Sequence, residues 1–235
     1  MTSQSEIHSV IDSVVNEILA ETQIESPPVN AFQIAHKLGW EIVLNSGQSE
    51  RGRRKRIQGQ TTIFLKPDER PERVQWALAH ELGESLSDRW ANWIDSPGFS
   101  APSASREAIA NLFANRLLLP ECWFRSEVAQ TGNDLFAMKS IFPTASYQLI
   151  GNRLLDLEEP LIVTVFDQGQ MTSRLSNWPG SVPPLQPAEQ RCWQNSHSHG
   201  ERCQHRADQL ETSCWPVHEP QWKREILLTS PLEFE

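Results

Sequence analysis

The stretch Trp76-Ala77-Leu78-Ala79-His80-Glu81-Leu82-Gly83-Glu84 constrains this chain more than any other. It reads as one helix, on which side chains at i and i+4 share a face, so His80 and Glu84 can address a common point while Glu81 lies on the flank. The spacing matches H-E-x-x-H in every position but the last, where a glutamate stands.

Around this helix the chain mixes helical and extended patterns, which predicts an α+β fold. Ile7, Val10, Ile11, Val14, Val15, Ile18 and Leu19 recur at three- and four-residue steps and predict an amphipathic helix over 4–21. After Pro27-Pro28, Asn30 can cap a second helix, Ala31 to Leu38, stopped by Gly39. Its lone His36 reads as a surface or satisfied residue rather than a ligand. Trp40 to Leu44 and Thr61 to Leu65 alternate like strands. The polar region between them, which includes Arg51-Gly52-Arg53-Arg54-Lys55-Arg56, reads as a turn region. Its basic run suits phosphate or an acidic partner, or is a solvated loop.

Pro67 ends the second strand, and the motif helix is expected over roughly 70–92. Residues 95–104 read as a loop, and Ser105 as the cap of a helix over 107–119 that Pro120 stops. Two short helices, about 135–142 and 145–157, have the spacing of a helix-turn-helix pair. A hairpin over 161–175, a proline-rich stretch over 179–187 and a last strand over 223–229 follow. The expected division is 1–158, a helical and sheet-bearing domain that includes the pair at 135–157, and 159–235, a β-containing region.

A net charge of −9 argues against nonspecific affinity for nucleic acid. Within 145–157 only Arg153 is cationic, so direct nucleic-acid binding is not expected and the pair is read as packing or substrate recognition. Tyr147 is likewise read as packing. No run approaches about 18 apolar residues, and Met1 to Glu6 has no basic region leading into an apolar core. The chain is therefore expected in the cytoplasm, with no membrane partner and with free thiols. Cys192, His197, His199, Cys203, His205, Cys214 and His218 crowd together near the end, but without a C-x-x-C they read as a polar exposed loop rather than a structural zinc site.

His80 and Glu84 could bind one divalent ion, with Glu81 placed to act as base toward a water there. A catalytic zinc takes three protein ligands and leaves one position open. On spacing alone the third donor is Glu107, Asp88, Asp95 or a distant histidine, and a set of ordinary solvated residues is the competing reading.

Pro28-Val29-Asn30-Ala31 with Ile34-Ala35, Leu38-Gly39, the Ala79-to-Gly83 core, and Glu107-to-Ala114 leading to Leu117-Leu118-Leu119-Pro120 together resemble the ImmA/IrrE family of metallo-endopeptidases. The resemblance spans Pro28 to Pro120, extends to the helix pair at 135–157, and is loose beyond 160. It implies a small zincin-like core in which His80 and Glu107 are metal ligands and Glu81 is the general base. Glu84 stands where most members carry a histidine ligand. The family's peptidases cleave helix-turn-helix repressors and so relieve transcriptional repression under stress.

A His-Glu-Glu shell cancels the charge of a divalent ion, where His-His-Glu would leave one positive charge. The result is weaker polarisation of bound groups and a tilt from Zn2+ toward harder ions such as Mn2+. The expected function is metal-dependent endopeptidase action on a protein substrate, a transcriptional repressor, with Thr61 to Leu65 as the edge for an extended substrate. The alternative is a catalytically weak or inactive peptidase-like regulator that binds a protein partner or DNA.

Overall fold

The computed structural model describes residues 4–90, 106–218 and 221–232, an α+β chain. It divides into two compact units, Met1–Gly132 with Ser140–Ser146, and Asn133–Lys139 with Tyr147–Glu235, so residue 158 lies inside the second. None of the described helices is long and apolar enough to cross a membrane.

In the first unit, α1 (Gln4–Glu21) carries the apolar stripe read from the periodicity, and Ile11, Val14, Val15, Ile18 and Leu19 are all buried. Asn30 caps α2 (Ala31–Lys37), its Oδ1 accepting from the Phe32 N–H at 2.9 Å. Three strands follow, β1 (Glu41–Leu44), β2 (Gly52–Ile57) and β3 (Gln60–Leu65), in the order β1-β3-β2. β3 is parallel to β1 and antiparallel to β2.

Two expectations change here. The basic run is a strand, not a turn: Gln58 and Gly59, at φ 50° and 87°, reverse the chain so that β2 folds back on β3. Thr61 to Leu65 cannot be an edge, because β3 is paired on both sides. β1 and β2 are the edges instead.

The motif helix α3 (Pro71–Ser85) begins with a proline at its first turn, where no N–H is missed. It ends before the expected limit of 92; the Leu86 N–H closes back on Leu82, and a further helical turn stands at 88–90. The loop over 95–104 and the Ser105 cap lie outside the described residues. α4 (Arg106–Leu118) packs along α3, and Gly83 makes the approach possible, since a Cβ there would meet the Phe113 ring at 2.8 Å. Buried Arg116 of α4 is ion-paired with Asp12 of α1. α4 ends just before Pro120, as expected, but Pro120 also precedes a helix not expected from the sequence, α5 (Glu121–Thr131), which Gly132 terminates at φ 64°.

The two short helices are α6 (Leu135–Ile141) and α7 (Tyr147–Leu154). Tyr147 packs edge-on against Phe136 at 5.9 Å, and Arg153 is buried and paired with Asp156, so its charge is not offered to a phosphate backbone. The second unit is built on β4 (Ile162–Asp167), β5 (Gln170–Ser176), β6 (Cys203–Ala207), β7 (Leu210–Pro216) and β8 (Arg224–Pro231). They form one antiparallel sheet in the order β5-β4-β8-β7-β6. β4 and β8 are buried along most of their length, polar positions included, because both faces are covered: Gly151 of α7 approaches Val163 and Ile226 on one, while α8 (Pro187–His199) lies on the other.

The Cys/His-rich stretch is therefore not an exposed loop. It is α8 and the β6–β7 hairpin, with Cys192 and Cys214 packed beside Phe166 and Leu227. Glu189 is fully buried, yet accepts from Arg174 at 3.1 and 3.0 Å, from Thr229 at 2.6 Å and from the Gln186 N–H at 2.7 Å.

Candidate metal centre

α3 and α4 face each other with residues at four-residue steps, and the steps interlock. Trp76 donates through Nε1 to Asn115 Oδ1 at 2.8 Å; one turn on, His80 Nδ1 lies 2.9 Å from Asn111 Oδ1. One turn further, the carboxylates of Glu84 and Glu107 converge on the same imidazole, each 3.6 Å from His80 Nε2. These three residues, and no other His, Cys, Asp or Glu group among the described residues, bring three ligand-capable atoms within 4.8 Å of one another.

The second nitrogen of the ring decides what the first can do. An amide oxygen only accepts, so Nδ1 is the nitrogen that donates to Asn111, which turns Nε2 toward the two carboxylates. Trp76 stacks on the imidazole at 5.5 Å and 29°, which restricts its rotation. The Glu84 and Glu107 side chains are 44% and 64% exposed, and no hydrogen-bond donor among the described residues reaches them. Two exposed carboxylates beside one oriented imidazole nitrogen form a donor set suited to a divalent cation.

Glu81 differs from both neighbours. It is buried, and β2 closes over it so tightly that a Cβ on Gly52 would fall 2.5 Å from Glu81 Oε1. Burial, then the negative charge of Glu84, pushes its carboxyl up to about 7, against the opposing pull of His80 and Arg54. An open cleft of about 330 Å³ gives access, lined among others by Arg51, Gly52, Trp76, His80, Glu81 and Glu107.

Of the third donors left open by spacing, Glu107 joins the cluster. Asp88 and the histidines outside it do not, and Asp95 lies outside the described residues. Asn111, Asn115 and Gly52 are additions of the structure. The asparagines stand at i+4 and i+8 from Glu107, a spacing that marks one helix face, and Gly52 interrupts an otherwise basic run. In the second unit, burial pushes the Cys192 thiol up to about 12 and raises that of Cys214 further, which opposes the thiolate form a metal would need.

Residues 35–154, just over half of the chain, match the family described as Peptidase M78, IrrE N-terminal-like domain. A comparison with curated proteins gives no match. Among solved structures, the chain resembles a Mycobacterium tuberculosis transcriptional regulator at a TM-score of 0.65 and 15% identity, over 94% of this chain and 88% of that one. At that identity the likeness is one of fold.

Proposed function

This chain belongs to the IrrE N-terminal-like peptidase family, and from that membership we propose that it is a metal-dependent endopeptidase using His80, Glu84 and Glu107 as ligands and Glu81 as general base. The observation that carries the reading is the convergence of one oriented imidazole nitrogen and two bare carboxylates within 4.8 Å, beside a buried glutamate at an open cleft. When bound, a divalent ion supplies Lewis-acid polarisation of a peptide carbonyl and lowers the pKa of water.

The rest falls to the chain's own residues. Asn111 and Trp76 hold the imidazole so that Nε2 faces the ligand cluster. Glu81, poised near neutrality by burial, accepts a proton from water at a carboxylate oxygen and returns it to the departing amine. Gly52 leaves room for that carboxylate.

Glu84 sets the rate. Two carboxylates neutralise a divalent ion, so carbonyl activation is weaker than with two histidines, and preference tilts from Zn2+ toward Mn2+. The substrate we propose is a cytoplasmic protein, a helix-turn-helix transcriptional repressor, supported by the ImmA/IrrE resemblance and linked through it to stress-responsive derepression. The same neutral shell favours a second reading, in which hydrolysis is lost and the chain regulates by binding a protein partner or DNA.

Glu81→Gln separates the two. The wild-type chain should hold close to one equivalent of divalent ion by elemental analysis after supplementation, and cleave a repressor encoded beside it. Glu81→Gln should keep the ion and lose cleavage by roughly 10²–10⁴-fold. A wild-type chain with under a tenth of an equivalent of ion would end the metal reading, and equal behaviour of the two forms would end the peptidase reading.

A further inference from the structure

The open edge of the first sheet is where this acidic chain concentrates positive charge. β2 carries Arg53, Arg54, Lys55 and Arg56, with Arg51 just before it, in a protein of net charge −9. All five are exposed, and no carboxylate among the described residues lies within ion-pair distance of them. Arg53 instead lies over the Phe64 ring at 5.6 Å, and Arg56 Nε donates to the Gly59 carbonyl at 3.1 Å.

The backbone of the same strand is half unused. The two-residue turn at Gln58-Gly59 makes Ile57 and Gln60 a hydrogen-bonded pair, so Lys55–Thr62 and Arg53–Phe64 are hydrogen-bonded as well. The Lys66 N–H donating to the Arg51 carbonyl at 2.9 Å continues that phase. By alternation, the N–H and C=O of Gly52, Arg54 and Arg56 point away from β3, along the edge that no described strand covers.

This edge begins at the candidate centre, since Arg51 and Gly52 line the cleft and Gly52 touches Glu81. A second cleft of about 200 Å³ shares Arg51 and Ala77 with the first and adds Lys66 and Arg73. Asp68 offsets Arg73 there at 3.4 Å, which leaves Arg51 and Lys66 as its uncompensated charges.

We propose that β2 is the docking strand for an extended acidic segment of the protein substrate. The segment adds to the sheet through the outward backbone groups of Gly52, Arg54 and Arg56, and its carboxylates lie against the basic side chains on both faces of β2 and against Arg51 and Lys66 in the neighbouring cleft. The backbone pairing supplies affinity without regard to sequence, and the cations select for acidic side chains. The proposal deepens the peptidase reading by naming the substrate chemistry, and rests on it for the step from docking to cleavage. Single-stranded nucleic acid is the rival polyanion, but it calls for open aromatic platforms between the cations, and Phe64 lies under a guanidinium.

The test uses the full chain carrying Glu81→Gln, so that binding is read without hydrolysis. Fluorescence anisotropy at low salt compares a short peptide of alternating glutamate and threonine with its lysine counterpart, the same acidic peptide N-methylated at alternate residues, and a single-stranded oligonucleotide of equal charge. The acidic peptide should bind at least about tenfold tighter than the lysine peptide. N-methylation should weaken it about tenfold, and Arg54→Glu with Arg56→Glu should abolish the preference. Equal binding of the acidic and lysine peptides overturns the proposal; so does an N-methylated peptide as tight as its parent, or an oligonucleotide that binds as tightly as the acidic peptide.

A cleavage arm, in which the wild-type chain digests a random peptide library, keeps the two readings apart. Cleavage without enrichment of acidic residues beside the cut overturns the docking proposal and leaves the peptidase. Acidic binding with no cleavage of any peptide overturns the peptidase and leaves the docking strand.

Discussion

Each unit of this protein sets carboxylates beside histidine, and the two do opposite things with them. In the first, Glu84 and Glu107 are exposed, stand 3.6 Å from His80 Nε2, and receive no hydrogen bond from the described residues. In the second, Glu225 is fully buried; its Oε1 lies 2.9 Å from His197 Nδ1 and 2.8 Å from His218 Nε2, and its Oε2 accepts from Trp193 at 3.3 Å. A buried acid must be satisfied by the protein itself, because nothing else can reach it. An exposed pair that the protein leaves unsatisfied contributes little to folding and can bind a cation. The same residue types thus form a structural cluster in one unit and a candidate site in the other.

The largest effect should come from the buried acid. Glu225→Ala removes three hydrogen bonds at a fully buried position, and at about 1 kcal/mol each the protein should lose about 3 kcal/mol of stability. Denaturant unfolding measures this, and metal content in the folded protein should not change. Loss of metal without loss of stability would break the comparison.

Glu107→Gln should do the reverse. Its side chain is 64% exposed and accepts no hydrogen bond from the described residues, so thermal unfolding of the metal-free protein should be almost unmoved. Metal affinity, titrated against a competing chelator, should fall by at least about a hundredfold, the upper range for losing a group that only supports a ligand. Asn111→Ala should be milder, a ten- to hundredfold loss, because it frees the imidazole to turn without removing a donor. An Asn111→Ala protein with wild-type affinity would show that Trp76 alone holds the ring.

What the sequence showed of this division follows from distance along the chain. α3 and α4 are legible as helices because i and i+4 relations are local, and His80 and Glu84 fall on one such row; spacing leaves the third donor open, Glu107 comes from the family resemblance, and Asn111 shows only once the two helices face each other. β2 is not legible, because its side chains are almost all charged and it becomes a strand only through β3 and the Gln58-Gly59 turn. Pro120 ends α4 as its position predicts, but the fixed φ of proline equally suits a helix entrance, and α5 behind it carries no clear start signal of its own. Glu189 and Glu225 look like surface residues in sequence, and their burial depends on side-chain partners as far as 40 and 32 positions away. For the same reason the Cys/His-rich stretch read as a solvated loop.

The smallest predicted effect sharpens the comparison through pH. Burial alone would raise the Asp167 carboxyl, but hydrogen bonds from Arg224, Trp222 and Thr172, with the Arg224 charge, outweigh it and hold the group below its usual 3.8. A carboxylate whose pKa is depressed by folding stabilises the protein fully above its unfolded value, and that contribution disappears as pH falls through the folded one. Stability should therefore drop below about pH 4, and Asp167→Asn should lower stability at neutral pH by about 1 kcal/mol while flattening that acid limb. The Glu107→Gln protein, stripped of metal, should keep the wild-type acid limb, since Asp167 and its donors are intact in it. If Asp167→Asn leaves the limb unchanged and Glu107→Gln flattens it, acids of the first unit carry folding energy after all, and the separation between a structural cluster and a binding cluster fails.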